Sequence, residues 1–379
     1  MPSPPAQQED DAGRDVSDGA PRPPSPGSRS PGSRSPGSHR AAKHRAATRR
    51  PRRLRGILLA IGVTLVLVAG LALVGSYLAL RRYDRAVERG TLLAPSARAP
   101  ERASVQGPLN FLLIGSDYRT WAPGNGQRSD TIIIAHVPAG LDHAYLISIP
   151  RDLRVTMPPD PSLNFTGDTT KINAAFYYGG GGHGGVQLLS ETLTELTGVR
   201  FDGAAVVSFT GLQKAVGVVG GVDMCVDERT VSIHTGAVFE KGCRLMQPAE
   251  VLDYLRQRQF SDGDFTRQRH QQQFLKALFE RMTSAGVLAN PIKLDALLRA
   301  VAGSMTVDIG GVSIPDLVFG LRNLRPDSVT GIRVPSTIGM IGDVSYVIAT
   351  DEAAGLYAAL RDDQLATWVN ANRRWVNQI

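Results

Sequence analysis

Short apolar runs alternate with polar stretches in the chain after residue 108. Three of them are Asn110–Ile114, Thr131–Val137 and Ala144–Ile149, each rich in Ile, Leu or Val and bounded by Gly, Pro, Asp or Ser. Runs of this length, with turn residues at both ends, are typical of buried β-strands. The pattern therefore predicts strands of one sheet between residues 109 and 152.

Charged side chains stand at the ends of these three predicted strands. They are Asp117 and Arg119 after the first strand, Arg128 and Asp130 before the second, and Arg151 and Asp152 after the third. Because strand ends converge in a sheet, we expect these side chains to share one edge. Carboxylates suit a hard divalent cation, and guanidinium groups bind phosphate oxygens through paired hydrogen bonds. The sequence thus predicts a metal-assisted phosphoryl-transfer site.

Helical periodicity appears farther along the chain. In Val186–Thr197 the apolar residues recur at helical spacing, and Gly198 supplies a stop signal. The same reasoning predicts helices at Leu212–Val219, Pro248–Arg258, Phe265–Met282, Ile292–Val301, Ile314–Leu321 and Glu352–Leu360, and strands at Gly203–Phe209, Gly221–Val226, Val329–Val334 and Val344–Ile348. This alternation predicts a layered α/β fold, in a single domain over residues 108–379.

The segment Gly56–Leu80 contains no charged residue. At a rise of about 1.5 Å per residue it is long enough to cross the ~30 Å hydrocarbon core of a bilayer, so it is predicted to be a transmembrane helix. Residues 1–55 are rich in Pro, Ser, Gly and basic residues, which predicts a disordered tail on the cytoplasmic side. Residues 81–107 are predicted to be a juxtamembrane linker and residues 108–379 an extracytoplasmic domain of a single-pass membrane protein.

The formal net charge of +7 resides in the N-terminal tail. Residues 1–55 carry twelve Lys and Arg against five Asp and Glu, so the rest of the chain is neutral overall. A basic tail before a membrane segment is explained by membrane topology and by attraction to anionic lipid. No helix-turn-helix pattern accompanies the tail, and nucleic acid is therefore not an expected partner.

The chain has two cysteines, Cys225 and Cys243. Two cysteines cannot build a structural zinc site alone. If the domain is exported, a disulfide closing a loop of about 18 residues is expected. The alternative is a pair of buried thiols.

A second basic group, Arg256, Arg258, Arg267 and Arg269, follows within a short stretch. This spacing also fits a solvated helix face, but the apolar surroundings and the loop Ser261–Asp264 favour an anion pocket. Gln271 can add an amide donor there.

Three of the candidate site residues can also be explained by a purely structural role. Lys171 suits phosphate, although its spacing alone favours a surface lysine. Asp117 and Asp130 also fit an Asx turn and a cap, but Arg128 and Arg151 beside them favour a cation site.

Other catalytic motifs are weak or missing from the sequence. Gly180–Gly185 formally matches G-x-G-x-x-G, but no clear strand precedes it and no Walker-type Lys-Ser/Thr follows, so a mobile loop is expected. The histidines form no H-E-x-x-H motif. Gly115–Asp117 is not a G-x-S-x-G elbow, which argues against a serine hydrolase.

The chain resembles the LytR–CpsA–Psr family of Gram-positive cell-wall ligases over residues Leu109 to Met282. The resemblance is carried by the ordered motifs NFLLIGSDYR, RSDTIII, LISIPRD, KINAAFYYGG, LDYLRQRQ and DGDFTRQRHQQQFLKAL. One position departs from the pattern. Many family members have R-x-x-R-Q-Q after the DGD loop, whereas His270 occupies the second arginine position here, with Arg269 beside it.

The resemblance implies a three-layer α/β/α sandwich with a mixed central sheet, preceded by one transmembrane helix, enclosing an apolar tunnel for a polyprenyl chain. It implies that Asp117 and Asp130 hold Mg²⁺ or Mn²⁺, and that Asp130 or Asp152 takes the acceptor proton. Arg151 would join in catalysis and in pyrophosphate binding. The other pyrophosphate-binding residues would be Arg119, Arg128, Lys171, Arg256, Arg258, Arg267 and Gln271.

The implied reaction moves a glycopolymer phosphate from a polyprenyl-pyrophosphate carrier to a peptidoglycan hydroxyl, usually on C6 of muramic acid. The expected partners are the polyprenyl-linked glycopolymer, peptidoglycan and membrane lipid. Two alternatives stay open. One is a membrane-anchored regulator that senses lipid-linked intermediates, and the other is a polyprenyl pyrophosphatase with the same site residues.

Overall fold

The computed structural model describes residues 88–102, 104–116 and 129–379. The helices there are α1 (Asn173–Tyr178), α2 (Gly182–Thr197), α3 (Phe209–Val219), α4 (Pro248–Leu255), α5 (Asp264–Ser284), α6 (Pro291–Val301), α7 (Ile314–Gly320), α8 (Asp351–Arg361) and α9 (Leu365–Ala371). The strands are β1 (Glu88–Arg89), β2 (Leu109–Ser116), β3 (Ser129–Val137), β4 (Ala144–Ser148), β5 (Arg154–Met157), β6 (Asp168–Lys171), β7 (Gly203–Ser208), β8 (Val222–Val226), β9 (Thr230–Val231), β10 (Val238–Phe239), β11 (Gly242–Met246), β12 (Met305–Asp308), β13 (Val329–Arg333), β14 (Ser336–Ile341), β15 (Val344–Ala349) and β16 (Val376–Asn377).

The central sheet has eight strands in the order β1–β12–β7–β2–β3–β4–β13–β16. Strands β7 and β2 are parallel, as are β4 and β13, whereas β3 runs antiparallel to both β2 and β4. Consequently β2, β4, β7 and β13 all end at one edge of the sheet, which we call the upper edge. The predicted mixed α/β fold with a central mixed sheet is confirmed.

Helix ends follow the signals in the sequence. Helix α2 ends at Gly198, whose φ of 72° is the left-handed conformation that glycine adopts most readily. Helix α4 begins with a reciprocal capping box between Gln247 and Glu250, with Pro248 in the first turn. The Asn290 side chain accepts hydrogen bonds from two backbone N–H groups at the start of α6.

The two faces of the central sheet are covered by different helices. On the first face, Leu112, Ile114, Ile132 and Ile134 join a buried cluster with residues of α2, α8 and α9. We call this the closed face.

On the second face, Ile133 and Leu146 are buried, but Phe111, Leu113 and Ala135 are only partly buried. Helices α5 and α7 contribute to this cluster through partly buried residues as well, namely Leu275, Phe279, Leu317 and Leu321. We call this the open face.

Gln272 fastens helix α5 to the sheet. Its side chain is fully buried, and Nε2 donates to the carbonyl oxygens of Leu146 and Ile332 and to Oγ of Ser148, at 2.7, 2.9 and 2.8 Å. Its Oε1 accepts a hydrogen bond from Asn377 at 2.7 Å. One amide thus joins the helix to β4, β13 and β16.

The domain begins earlier in the chain than the sequence predicted. Residues 81–107 were expected to be a linker, yet β1 pairs with β12 in the central sheet. Leu92, Leu93 and Ala97 are buried in the core, and the N–H groups of Leu92 and Leu93 donate to Asp308. A two-residue edge strand has no measurable period, which is why the pattern missed it.

A further difference concerns secondary structure near the predicted site. Helix α4 ends at Leu255 rather than at Arg258, and Arg256 is its C-cap residue.

Cys225 and Cys243 form a disulfide that joins the antiparallel strands β8 and β11. Within residues 88–102, 104–116 and 129–379, no helix is long and apolar enough to cross a membrane. The predicted tail, residues 1–55, and the predicted membrane segment Gly56–Leu80 lie outside the described residues.

Candidate active site

The upper edge of the sheet carries an ion pair between neighbouring strands. Asp130 is the second residue of β3, and Arg151 follows β4 by three residues. Since β3 and β4 are antiparallel, the start of one strand lies beside the end of the other. Nη1 of Arg151 donates to Oδ1 of Asp130 at 2.6 Å. Two of the charged residues that the sequence placed on a shared edge therefore meet there.

Helices α4 and α5 bring two more arginines to Asp130. Nη2 of Arg258, which lies just past α4, is 3.1 Å from Oδ2 of Asp130. Nη2 of Arg267, in the first turn of α5, donates to the Asp130 carbonyl oxygen at 2.8 Å and is 2.6 Å from Oδ1 of Asp264. Three guanidinium groups thus converge on one aspartate.

Burial and the neighbouring charges determine the protonation states of Asp130 and its arginines. Burial alone would raise the pKa of the Asp130 carboxyl, but the charges of Arg258, Arg151 and Arg267 lower this pKa below its ordinary value. Burial lowers the pKa of the Arg267 guanidinium, whose side chain is only 2% exposed. Asp130 is therefore ionised at neutral pH and holds the surrounding guanidinium groups in place.

Asp152 and Lys171 extend the ion pairs along the same edge. Nζ of Lys171, at the end of β6, is 3.1 Å from Oδ1 of Asp152. Nε of Arg151 lies 3.5 Å from Oδ2 of Asp152, which exceeds the length of a strong hydrogen bond. Asp152 thus has one firmly held oxygen and one loosely held oxygen.

Among the described residues, several buried polar atoms around this group have no hydrogen-bond partner. They are Nε of Arg151, Nε of Arg267, Nδ2 of Asn173, Oγ of Ser129 and the acceptor Oδ1 of Asp264. Buried donors are nearly always satisfied in a complete site, and an unsatisfied donor costs about 1–3 kcal/mol. We call Asp130, Asp152, Arg151, Lys171, Arg258 and Arg267 the upper-edge cluster. Its unpaired donors suit an anionic ligand rich in acceptor oxygens.

Two predicted pyrophosphate-binding residues are not brought into this cluster. The Arg256 guanidinium lies over the Phe209 ring, 5.2 Å from its centre. Within the described part of the chain, no hydrogen bond joins the half-buried Gln271 to the cluster. Asp117, Arg119 and Arg128 lie outside the described residues, so their predicted roles stay predictions.

One residue of the site went unrecognised in the sequence. Asp264 pairs with Arg267 and helps to hold its guanidinium beneath Asp130. The three-residue spacing of an acid and an arginine at a helix start was the available signal.

Comparison with known proteins decides the family. A model described as the LytR_cpsA_psr family matches residues 76–362. The chain belongs to the LytR–CpsA–Psr family.

The family relatives include proteins of cell-wall assembly. "Probable cell wall biosynthesis protein LcpB" of Corynebacterium glutamicum is 33% identical over 269 residues, which cover 66% of this chain and 61% of LcpB. "Polyisoprenyl-teichoic acid–peptidoglycan teichoic acid transferase TagV" of Bacillus subtilis is 30% identical over 294 residues, covering 73% of this chain and 71% of TagV. A structure of TagT bound to LI-WTA has a TM-score of 0.56 at 22% identity, covering 73% of this chain and 99% of TagT, and it supports the fold.

This chain departs from the LytR–CpsA–Psr pattern at His270. The side chains of His270 and the neighbouring Arg269 bind a different aspartate, Asp227. Nε2 of His270 is 2.9 Å from Oδ2 of Asp227, and Nη2 of Arg269 is 2.6 Å from the same oxygen. The His270 ring also stacks on Tyr254. A hydrogen bond from His270 and the charge of Arg269 lower the pKa of Asp227 to about 2, against the opposing effect of burial. Among the described residues, the polar contacts of Arg269 and His270 are therefore with Asp227, Thr266 and Tyr254, and not with Asp130.

The described donors fit a divalent cation only in part. Asp130 supplies a carboxylate of the kind that magnesium prefers, but both of its oxygens face guanidinium groups. Within the described residues, no group of three or more His, Cys, Asp or Glu side chains is placed to hold a metal. The longer contact, from the 39% exposed Arg258 to Oδ2, is the one that a cation would replace.

Proposed function

We propose that this protein transfers a glycopolymer phosphate from a polyprenyl-pyrophosphate carrier to a hydroxyl group of peptidoglycan. The observation that carries the proposal is the convergence of Arg151, Arg258 and Arg267 on Asp130 at the upper edge of the sheet. The name of TagV, a teichoic acid transferase, supports this assignment, and the name of LcpB supports a role in cell-wall biosynthesis.

The arginines provide the pyrophosphate site. Arg151 and Arg258 are held at Asp130 with side chains that are 22% and 39% exposed, so phosphate oxygens can reach them from solvent. Arg267 is buried, so it contributes its positive charge to the site from behind the two exposed arginines. Such preformed positive charge stabilises negative charge that develops on phosphate oxygens during transfer.

The open face of the sheet provides the path for the polyprenyl chain. Helix α5 begins at the upper-edge cluster and continues along this face, where Leu275 and Phe279 are partly buried against the sheet. At the lower end, near the start of β2, a cleft of about 40 Å³ is lined by Leu109, Phe111 and Leu317, with the charged Arg98, Glu101, Arg102 and Asp202 also in its wall. Apolar surface thus extends from beneath the arginines toward the opposite edge.

In the proposed reaction, the acceptor hydroxyl oxygen attacks the phosphorus atom attached to the glycopolymer. A new phosphodiester bond forms, the pyrophosphate P–O bond breaks, and polyprenyl phosphate leaves. Of the two predicted proton acceptors, Asp152 is the better candidate. The low pKa of Asp130 makes it a weak base, and both of its oxygens are occupied, whereas Oδ2 of Asp152 is loosely held.

The proposal includes a magnesium or manganese ion, because the family resemblance implies one. Asp130 would hold the ion together with Asp117 and substrate oxygens. A bound divalent cation supplies charge neutralisation at the phosphate oxygens.

We also propose that the protein is anchored in the cell membrane by Gly56–Leu80, with the domain on the extracytoplasmic side. The cysteine pair in the domain is disulfide-bonded, which suits an oxidising compartment. This orientation places the site on the side where peptidoglycan is assembled.

The test uses the full chain in lipid vesicles, with lipid-pyrophosphate glycan, peptidoglycan and magnesium. We expect Arg151→Ala to lower glycopolymer transfer about 10²–10³-fold, the usual cost of removing one preorganised charge-stabilising donor. Arg269→Ala is the matched control, because its guanidinium binds Asp227 outside the cluster. Equal turnover in Arg151→Ala and wild type would remove the cluster from the mechanism.

Analysis of the products of the same reaction distinguishes the transferase from the alternative pyrophosphatase. Substitution of the arginines cannot do so, because both activities require them. If water is the only acceptor while peptidoglycan is present, the released glycan phosphate will be free rather than attached to peptidoglycan. For the regulator alternative, deletion of residues 1–50 is decisive. A transferase keeps its activity on the cell wall without this tail.

A further inference from the structure

The hairpin formed by β14 and β15 carries an uncovered apolar tip. Ile338 and Met340 are 63% and 64% exposed, and Ile341 and Val344 are 43% and 45% exposed. In an antiparallel pair of strands, opposed residues point to the same side, and successive pairs alternate between the two sides. Met340 is opposed to Ser345 and Ile341 to Val344, so these two pairs lie on opposite sides of the hairpin. The tip is therefore apolar on both sides.

The base of this hairpin adjoins the upper-edge cluster. The Val347 N–H donates to the Asp152 carbonyl oxygen at 2.9 Å, and Nζ of Lys171 lies 5.8 Å from the centre of the Tyr346 ring. The hairpin also follows β13 directly, and β13 ends at the upper edge. The apolar tip thus extends from the same edge as the candidate active site.

The N-terminal segment enters the domain at this edge too. Strand β1 is parallel to β12, and β12 is antiparallel to β7, so β1 starts where β2 and β7 end. Its first residue, Glu88, is eight positions after Leu80, where the predicted membrane segment stops. Eight residues span at most about 26–29 Å, so the upper edge cannot lie far from the bilayer.

We propose that the tip of the β14–β15 hairpin inserts into the outer surface of the lipid bilayer and holds the upper edge against it. A bilayer can surround both sides of the tip, whereas a protein groove would cover one side. Residues 336–349 contain one charged residue, Asp343, which lies in the turn, where its carboxylate can stay at the level of the lipid headgroups. The exposed large side chains beside the turn are aliphatic. The inference rests on the proposed membrane orientation and not on the transfer chemistry.

Fluorescence quenching tests this insertion directly. The two native cysteines are joined in a disulfide, so Met340→Cys introduces a single reactive thiol for an environment-sensitive dye. The labelled full chain is reconstituted in phosphatidylcholine–phosphatidylglycerol vesicles with and without nitroxide-labelled lipid. We expect about twofold quenching, because interfacial segments reach about 5–10 Å into the headgroup boundary.

Phe319→Cys is the matched control. Phe319 is 67% exposed and lies in α7, whose last residue, Gly320, lies against Val105 near the start of β2, away from the upper edge. Equal quenching at the two positions would overturn the proposal. So would a Met340 probe that is shielded from aqueous iodide but not quenched by lipid nitroxide, since a protein partner or second copy would then cover the tip. Transfer measured in the same vesicles shows separately whether the proposed function holds.

Discussion

The two faces of the central sheet differ in how completely their apolar residues are covered. Neighbouring residues of β2 show this most directly, because Leu112 on the closed face is fully buried and Leu113 on the open face is only partly buried. The residues of both faces are apolar, so the sequence pattern does not distinguish one face from the other. The difference indicates that the closed face is the better-packed core, and the open face is the surface that the proposed function assigns to the polyprenyl chain.

The largest expected effect is on stability. We expect Leu112→Ala to lower the free energy of unfolding by about 2–5 kcal/mol, because it leaves a cavity in a filled core. Leu113→Ala should cost about 1 kcal/mol, since part of this side chain is already in contact with solvent. Urea denaturation of both variants measures the difference, and equal losses would show that the two faces are packed alike.

The second expected effect is on substrate use. We expect Ala135→Phe, which adds volume on the open face, to reduce transfer from long-chain polyprenyl substrates about tenfold, or ~1.4 kcal/mol, by occupying the path of the chain. Steady-state rates with short and long carriers measure this, and the short carrier should be affected less.

Ile134→Phe is the control for that substitution, since Ile134 is fully buried on the closed face. Overpacking there should cost about 1–3 kcal/mol of stability, without selecting between carriers of different length. If Ala135→Phe lowers stability as Ile134→Phe does and leaves carrier preference unchanged, the open face does not bind the chain.

The smallest expected effect is a pH dependence of the closed face. Burial lowers the pKa of His136 below 6.5, although Asp363 opposes the shift. The unfolded chain therefore binds more protons between the lowered pKa and 6.5, and stability falls as pH decreases through this window. The slope is at most about 1.4 kcal/mol per pH unit.

Thermal unfolding between pH 7 and pH 5 measures this slope. His136→Gln should flatten it, whereas His143→Gln should leave it unchanged, because the His143 side chain is 51% exposed. An identical slope in His136→Gln and wild type would assign the pH dependence to other groups.

The sequence predicted most elements of the fold because their signals are local. Strands β2, β3 and β4 and helix α5 were located within about two residues, as expected for apolar periodicity. The spacing alone could not separate Arg267 from Arg269, which are two positions apart on one helix; only the family resemblance singled out Arg267. Arg267 donates to the backbone carbonyl oxygen of Asp130, whereas Arg269 donates to the carboxylate of Asp227, and both contacts join distant parts of the chain. Only the packing of α5 against β4, β8 and β13 decides which arginine reaches the cluster.

The amide of Gln272 has a mechanical consequence. Sliding α5 along the sheet would break its hydrogen bonds to Leu146, Ser148, Ile332 and Asn377 together, and buried groups would lose their partners. Translation of the helix along the sheet is therefore resisted. Because Arg267 lies five residues before Gln272 on the same helix, this anchor also fixes the register in which Arg267 meets the carbonyl oxygen of Asp130.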